Sequence, residues 1–218
     1  MDPLVDYYTN RAPKYESIWY RDDPVRQGEQ TAMALAIEAG CHGRRVLEVA
    51  CGTGYWTRFA AAAATEVVAL DLSPKMLALA RAKNLIRTTF IEGNAYELAH
   101  VPGPFTAGLA NFWFSHIPKR RIVEFLDGFH RQLSPGARVF MADNVFVPGV
   151  GGELVSRLGT DDTFKLRELT DGSRHEVLKN YYDAAQLREF FLNRGIDLEI
   201  KIGKSFWWLS YATNESEH

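Results

Sequence analysis

The chain has 218 residues and a formal net charge of −2, and its 46% hydrophobic and 24% charged residues are ordinary for a globular domain. This length is sufficient for one domain with a substantial core, and the near-neutral charge excludes the strongly basic surface that nucleic-acid binding uses. No apolar run approaches the length of a membrane span, and the first residues lack the pattern of a signal peptide. Two cysteines are too few for a metal cluster. We therefore expect a cytoplasmic protein with no membrane or nucleic-acid partner.

The start of the chain predicts a helical cap. Its first helix breaks before Pro13, because proline disfavours a helical conformation in the preceding residue. Counting by four places Tyr7, Arg11 and Tyr15 on one face if the break is mild. Residues 21–28 are polar and predict a connection to a second helix.

Residues 45–71 carry the pattern around which the rest is organised. A short apolar run (46–49) predicts a buried strand, and a turn containing Gly52 and Gly54 follows it. An alanine-rich helix and a second apolar strand lead to Asp71. The glycines let the backbone approach a ligand closely, the helix start offers free N–H groups, and a carboxylate at this strand end can accept both hydroxyls of a ribose. A nucleotide-like ligand is therefore predicted at the edge of a parallel sheet.

The glycine spacing separates two classes of nucleotide site. A dinucleotide fingerprint has a third glycine where this chain has Thr57, next to Trp56. The run Glu48 to Gly54 instead resembles motif I of the class I S-adenosylmethionine (SAM) methyltransferases, and more generally the type 11 and type 12 methyltransferase families. That resemblance implies SAM as the cofactor, with the glycine turn under its methionine half and Asp71 on its ribose.

Strand and helix patterns alternate through most of the remaining chain. Together they predict a single α/β domain with a Rossmann-like, seven-stranded, mostly parallel sheet, closed by an antiparallel strand. The predicted strands after Asp71 cover residues 88–91, 105–110, 138–142, 196–202 and 206–212, and a helix covers 119–133. A hairpin insertion after the fifth strand is predicted over 164–169 and 175–181, with a turn at Asp171-Gly172. The domain of residues 1–218 then divides into a helical cap (1–40), a SAM-binding core (44–142), a substrate-pocket insertion (143–182) and a closing helix with hairpin (183–218).

The family resemblance carries a set of cofactor contacts onto this chain. Leu72 and Met76 fall near the adenine, and Asn94 stands where the family usually has an aspartate, although its amide oxygen can accept from the adenine amino group equally well. The expected cofactor-binding residues are Arg11, Tyr15, Glu48, Ala50, Gly52, Gly54, Trp56, Thr57, Asp71, Leu72, Met76, Asn94, Ala95, Asn111 and Phe112.

Clustered aromatic residues predict a flat, apolar-walled pocket for a small molecule. Tyr7, Trp19, Trp113, Lys179 and Trp207 are expected on the substrate side. A catalytic base is not required when the nucleophile is an anion or a nitrogen lone pair, and Tyr7 and His116 are the candidates if one is used.

Three functions remain open. The aromatic opening resembles toxoflavin-type azapteridine methyltransferases, which implies N-methylation of a planar heterocycle of secondary metabolism. The insertion resembles the phosphonate O-methyltransferases of antibiotic pathways, with Lys179 on a shared lysine, which implies O-methylation of a small acid, phosphonate or phenol. A SAM-binding regulatory module without activity is the third.

No metal is expected. Cation-dependent catechol-type O-methyltransferases use an Asp-Asn pair, which Asp143-Asn144 matches, together with an aspartate where this chain has Asn111. Because Mg²⁺ prefers charged oxygen ligands, the missing carboxylate argues against a metal site.

Overall fold

The computed structural model describes residues 3–169 and 172–214, and these form an α/β domain around a seven-stranded sheet in the order β3-β2-β1-β4-β5-β10-β9. The first five strands of this order are parallel, and β10 is antiparallel to both of its neighbours. The predicted fold is therefore confirmed. The strands are β1 Arg45–Val49, β2 Glu66–Asp71, β3 Thr88–Glu92, β4 Phe105–Asn111, β5 Leu133–Asn144, β6 Glu153–Ser156, β7 Thr163–Glu168, β8 Arg174–Leu178, β9 Gly195–Ile202 and β10 Phe206–Thr213. The α-helices are α1 Pro3–Arg11, α2 Pro24–Cys41, α3 Thr57–Ala63, α4 Pro74–Arg81, α5 Ile122–His130 and α6 Ala184–Phe191.

Helices cover both faces of the sheet, which explains why the central strands are apolar on both sides. On one face, Met33 of α2 and Ala60 of α3 pack in a core cluster with Val46. On the other face, Phe125 of α5 joins Leu47 in a second cluster. The sheet is thus held rigidly, and its strand ends can serve as fixed points for a site.

The cap breaks where the sequence predicts. Helix α1 ends at Arg11, and the chain continues as a 3-10 helix over Ala12–Tyr20. The polar connection predicted at 21–28 is wrong, because α2 already begins at Pro24. Asp23 caps that helix by accepting from the backbone N–H of Arg26 at 3.0 Å, and proline suits the first helical position.

The insertion is larger than a hairpin. The predicted pair is present as β7 and β8, but β6 adds a third antiparallel strand, and this small sheet is separate from the main one. Of the predicted turn, Asp171 lies outside the described residues.

The fifth strand also starts earlier than predicted. It runs from Leu133 through Pro135 and Gly136, where the sequence indicates a turn, and its register with β4 shifts between Phe105 and Ala107. Helix α5 correspondingly ends at His130.

Among the described residues, no helix combines the length and the apolar character needed to cross a membrane.

Candidate functional site

The site lies at the carboxyl ends of β1 and β4, where the strand order reverses. Open α/β sheets bind their ligands at such a switch point. The residues that follow or end these strands have unusual backbones: Ala50 and Phe112 have φ angles of 52° and 58°. Positive φ in residues other than glycine is strained and concentrates at functional sites.

Asp71 at the end of β2 organises the glycine turn. Its Oδ2 accepts from the backbone N–H of Gly52 at 2.8 Å, and its Oδ1 accepts from that of Ser73 at 2.8 Å. A carboxylate offers about four lone-pair positions, so two remain for hydroxyl groups of a ligand. Burial raises the pKa of Asp71, and the backbone N–H groups of Ser73 and Gly52 oppose that shift.

The two glycines of the turn serve different purposes. Gly52 has a φ of +57°, and a Cβ added there would meet no atom within 4 Å. Gly54 has a φ of +75°, and a Cβ there would lie 3.2 Å from the Cβ of Ala80. Gly52 thus leaves space for a ligand, whereas Gly54 allows the turn to pack on α4.

A first cavity opens above these strand ends. It is lined by most of the residues predicted to bind the cofactor, namely Tyr15, Glu48, Ala50, Gly52, Trp56, Asp71, Leu72, Met76, Asn94, Ala95, Asn111 and Phe112. Three predicted residues do not line it. Gly54 packs on α4, Thr57 is buried beside Glu48, and Arg11 lines a different cavity.

Two amide side chains, Asn94 and Asn111, line the first cavity. The Oδ1 of Asn94 already accepts from the backbone N–H of Tyr96 at 3.1 Å, which leaves one lone pair for a ligand. Both polar atoms of the Asn111 side chain are buried and have no partner among the described residues. Trp113 also lines this cavity, with its ring 6.0 Å from that of Tyr96, so it lies on this side rather than with the substrate residues.

These features fit a nucleoside cofactor. Asp71 retains acceptor positions for a pair of hydroxyls, the backbone at Gly52 is open to close approach, and Asn111 presents an unpaired amide. An unsatisfied buried amide is costly unless a ligand completes its hydrogen bonds.

A second cavity lies on the other side of a shared wall. The residues that line both cavities are Tyr8, Tyr15, Trp19, Phe112 and His116. The cap supplies the first three, and Glu16 ties the cap down by accepting from Thr53 Oγ1 and Lys83 Nζ, each at 2.6 Å.

Lys165 fixes the loop that borders the second cavity. Its side chain is buried and donates to the carbonyl oxygens of Val150 (3.1 Å) and Gly152 (2.8 Å), with Nζ 5.1 Å from the ring centroid of Phe146. The glycine-rich segment before β6 is thereby held against the cavity.

His116 and Tyr8 form a hydrogen-bonded pair in the shared wall. Nδ1 of His116 lies 2.7 Å from the carbonyl oxygen of Leu178, which can only accept, so Nδ1 carries the proton. Nε2 therefore accepts from the Tyr8 hydroxyl at 2.8 Å. Burial, followed by the charge of Lys179, lowers the pKa of His116 to about 3, so its ring is neutral at physiological pH. Both ring nitrogens are engaged, and any proton transfer by His116 must pass through Tyr8.

Lys179 lines the second cavity but is fully engaged. Its ammonium donates to Ser115 Oγ at 2.6 Å, Asp143 Oδ1 at 2.8 Å and Asn144 Oδ1 at 3.1 Å. An ammonium has three donors, so none remains for a substrate anion. The expectation that Lys179 contacts the substrate is revised to a positioning role. Although burial alone would raise it, the pKa of Asp143 lies below its ordinary value because of this ammonium.

Two further predicted residues do not line either cavity. Trp207 is fully buried on the face of the sheet that α5 covers, with its ring 5.9 Å from that of Phe114. Successive residues of a strand point to opposite faces, and this alternation places Trp207 on that face. Its assignment to the substrate side is therefore corrected to the core. Tyr7 is buried, and its hydroxyl accepts from Arg11 and Arg167, each at 3.0 Å. It therefore acts on the second cavity through these arginines.

The Asp143-Asn144 pair, which matches the metal-binding pair of the catechol-type enzymes in sequence, accepts hydrogen bonds from the ammonium of Lys179. In the described part of the chain, no three His, Cys, Asp or Glu side chains are grouped as metal ligands.

Comparison with known proteins finds similar domains and a shared fold. A family model described as a methyltransferase domain matches residues 46–136. The structure of DhpI in complex with S-adenosylhomocysteine (SAH) superposes with a TM-score of 0.79 over 99% of this chain and 97% of that one, at 24% identity. Residues 46–136 are therefore similar to methyltransferase domains, and the chain shares its fold with DhpI.

Two other relatives extend the comparison. A Burkholderia thailandensis 1,6-didemethyltoxoflavin-N1-methyltransferase with SAH bound superposes with a TM-score of 0.65 at 16% identity, over 98% of this chain and 88% of that one. An uncharacterised methyltransferase of Synechocystis is 33% identical over 119 residues, which cover 53% of this chain and 55% of that protein. The chain thus spans about half the length of this curated relative. The DhpI structures with bound SAH or SAM share this fold.

Sequence reasoning did not assign Tyr8 and Arg26 to the site, although both line the second cavity. Tyr8 stands next to the predicted Tyr7, and its role depends on His116, 108 positions away. Arg26 lies in a segment interpreted as a connection, although Asp23 and Pro24 are helix-start signals that would have placed it on a helix.

The affinity for SAM is expected to depend on pH through Glu48. This side chain lines the first cavity, its Oε2 is buried without a partner among the described residues, and burial raises its pKa to about 8. Below that pH the carboxyl is mainly protonated, and it must lose its proton to attract the positive charges of SAM. Affinity should therefore rise up to about tenfold per pH unit towards pH 8 and level off above it.

Calorimetric titration between about pH 6.5 and 9 measures this dependence, with Glu48→Gln as the control that removes the carboxyl's contribution. Identical pH profiles for the wild type and Glu48→Gln would contradict the assignment.

Proposed function

We propose that the chain transfers the methyl group of SAM to an oxygen of a small anionic molecule, a phosphonate or carboxylate, bound in the second cavity. The observation that carries this proposal is the charge of the cavity lining. Its side chains include Arg11, Arg21, Arg26 and Arg167, and no carboxylate lines it among residues 3–169 and 172–214.

The pairing of these arginines supports an anionic acceptor. None of the four forms an ion pair within the described residues, whereas arginines elsewhere pair with acids, as Arg174 does with Glu168. Arginine offers a planar fork of donors that matches carboxylate and phosphonate oxygens. A cavity that concentrates unpaired guanidinium groups favours a ligand that neutralises them.

The shared wall supports transfer between the two cavities. SAM, when bound, supplies a sulfonium whose methyl group is already activated. Tyr8, Tyr15, Trp19 and Phe112 border both cavities, so a nucleophile in the second cavity can approach a cofactor in the first while the rings exclude water.

No catalytic base is needed for an anionic oxygen. A lone pair of that oxygen forms the new bond to the methyl carbon, the electrons of the broken carbon–sulfur bond go to sulfur, and no proton moves. The Arg11–Tyr7–Arg167 group, with both guanidinium groups donating to one hydroxyl, is suited to orienting such an anion. The neutral Tyr8–His116 pair leaves this positive charge intact.

N-methylation of a planar heterocycle is the second candidate. The rings of Trp19, Phe112 and Tyr181 in the lining favour a flat ligand. A neutral heterocycle would leave the arginines without counter-ions, and for that reason we rank it second.

Replacing Arg167 tests the proposal. With labelled SAM and a panel of small phosphonates, carboxylates and planar heterocycles, Arg167→Met should lower kcat/KM for the anionic acceptors by about 100-fold, because a charged hydrogen-bond donor to the acceptor is lost. The SAH affinity, measured by calorimetry, should stay within about twofold, since Arg167 does not line the first cavity.

Arg174→Met is the matched control, since this exposed arginine lies on the neighbouring strand and pairs with Glu168. Turnover of heterocycles alone would instead favour the second candidate. Tight SAM binding without turnover of any acceptor would favour a regulatory module.

A further inference from the structure

The positive charge of the second cavity is divided between two places. On the side of the insertion, Arg11 and Arg167 converge on the hydroxyl of Tyr7. On the side of α2, the guanidinium of Arg26 lies 4.3 Å from the ring centroid of Phe206, and the charges of Arg21, Asp23 and Glu29 act on it. All four arginines line the same cavity.

A row of aromatic rings lies between these two places. Successive ring centroids from Tyr7 to Tyr8, Tyr15 and Trp19 are 5.0, 5.7 and 6.5 Å apart. The Arg167 guanidinium lies 5.4 Å from the ring centroid of Tyr7 at the start of the row, and that of Arg26 lies 6.0 Å from Trp19 at its end. The Arg11 guanidinium of the first pair also lies 5.5 Å from the centroid of Tyr15, one ring before Trp19, so a short spacer is sufficient to join the two places.

The acids nearest to Arg26 along α2 are committed to backbone groups. Asp23 Oδ1 accepts from the backbone N–H of Arg26 itself at 3.0 Å. Glu29 accepts from the backbone N–H groups of Lys204, Ser205 and Phe206 at 2.6, 3.0 and 3.0 Å. The Nε of Arg26 is buried and has no partner among the described residues.

We propose that Arg26, with Arg21, forms a second anion subsite, so that the acceptor carries two anionic groups joined by a short apolar spacer. This inference rests on the proposed function. The reacting group lies at Arg11 and Arg167, and the distal group at Arg26 is a carboxylate, whose two oxygens match two parallel N–H donors along one edge of the guanidinium. The rings of Tyr15 and Trp19 border the spacer.

Two acceptors that differ in the distal group provide the test. Propylphosphonate carries the phosphonate alone, and 3-phosphonopropanoate adds a carboxylate at the far end. Calorimetric titration of the SAH-bound protein should give an affinity for 3-phosphonopropanoate about tenfold to 100-fold higher, the range expected for hydrogen bonds to a charged group.

Arg26→Met should remove this preference and leave the affinity for propylphosphonate within about twofold, while Arg26→Lys should retain part of it. The matched control is Arg58→Met. Arg58 also lies over aromatic rings, 4.1 Å from the centroid of Tyr55, and its Nε is likewise unpartnered in the described residues, but it does not line the second cavity. A thermal melt of each variant reports whether it is folded.

Each outcome bears on one claim. Equal affinity of the wild type for both probes, or equal losses for both in Arg26→Met, overturns the second subsite. A preference that depends on Arg26, without methylation of either probe, supports the subsite and contradicts the proposed reaction. Binding of neither probe contradicts both.

Discussion

Asp71→Ala should reduce the affinity for SAH by at least about 100-fold, because two hydrogen bonds to a charged group are lost. The Asp71 carboxylate also accepts from Gly52 and Ser73, so its removal leaves the glycine turn without the group that fixes it. Calorimetric titration measures the loss directly. A folded Asp71→Ala variant that bound SAH within about fivefold of the wild type would contradict the role of Asp71.

Glu92→Ala is the matched control for this change. Glu92 ends the neighbouring strand β3 in register with Asp71, but it is exposed and does not line the first cavity. Its replacement should leave SAH affinity unchanged. Asp71→Asn adds a second comparison, since an amide keeps the shape of the side chain and halves its acceptor capacity.

Lys179→Met should destabilise the fold by about 3–5 kcal/mol, because it leaves a buried charge uncompensated. Asp143 is fully buried and is paired with Lys179, whose side chain is only 3% exposed. Met has a similar length and no charge, so the lost electrostatic pairing dominates the change. Chemical denaturation gives the free energy of unfolding.

The control is again Arg174→Met. That arginine and its partner Glu168 have side chains 86% and 60% exposed, so the pair contributes about 1 kcal/mol or less. If Lys179→Met lost no more stability than this control, the buried pair would not be the anchor of the region around Ser115 and Asn144.

The parts of the fold that the sequence predicts are those with strong local signals. Continuous apolar runs such as the one around Val46 mark strands buried on both faces, and Asp71 follows such a run directly. Strand β6 was missed because Glu153 to Ser156 is short, partly exposed and preceded by glycines. The residue types of the Ser-Pro-Gly run inside β5 predict a turn, but Leu133 before the run already pairs with Phe105 of β4. The register with β4 then shifts before Arg138, and Gly136 within the run has a φ of +71°.

The candidate site likewise has one part that local sequence patterns predict and one part that they do not. The first cavity is assembled from residues close in sequence to the glycine turn and to successive strand ends, which a pattern can locate. The second cavity depends on pairs that are distant in sequence, such as Tyr7 with Arg167 and Tyr8 with His116. Whether a lysine such as Lys179 is free or saturated depends on three partners that local patterns do not contain.

Within residues 3–169 and 172–214, the small sheet of β6, β7 and β8 shares no strand pairing with the main sheet, yet it carries Arg167. The cap supplies Arg11 and the start of α2 supplies Arg26, so the charges of the second cavity come from three segments outside the central strands. Residues in these segments can change without altering the strands that end at Ala50, Asp71 and Asn111. Acceptor preference can therefore diverge among descendants of this chain while the cofactor framework is inherited intact.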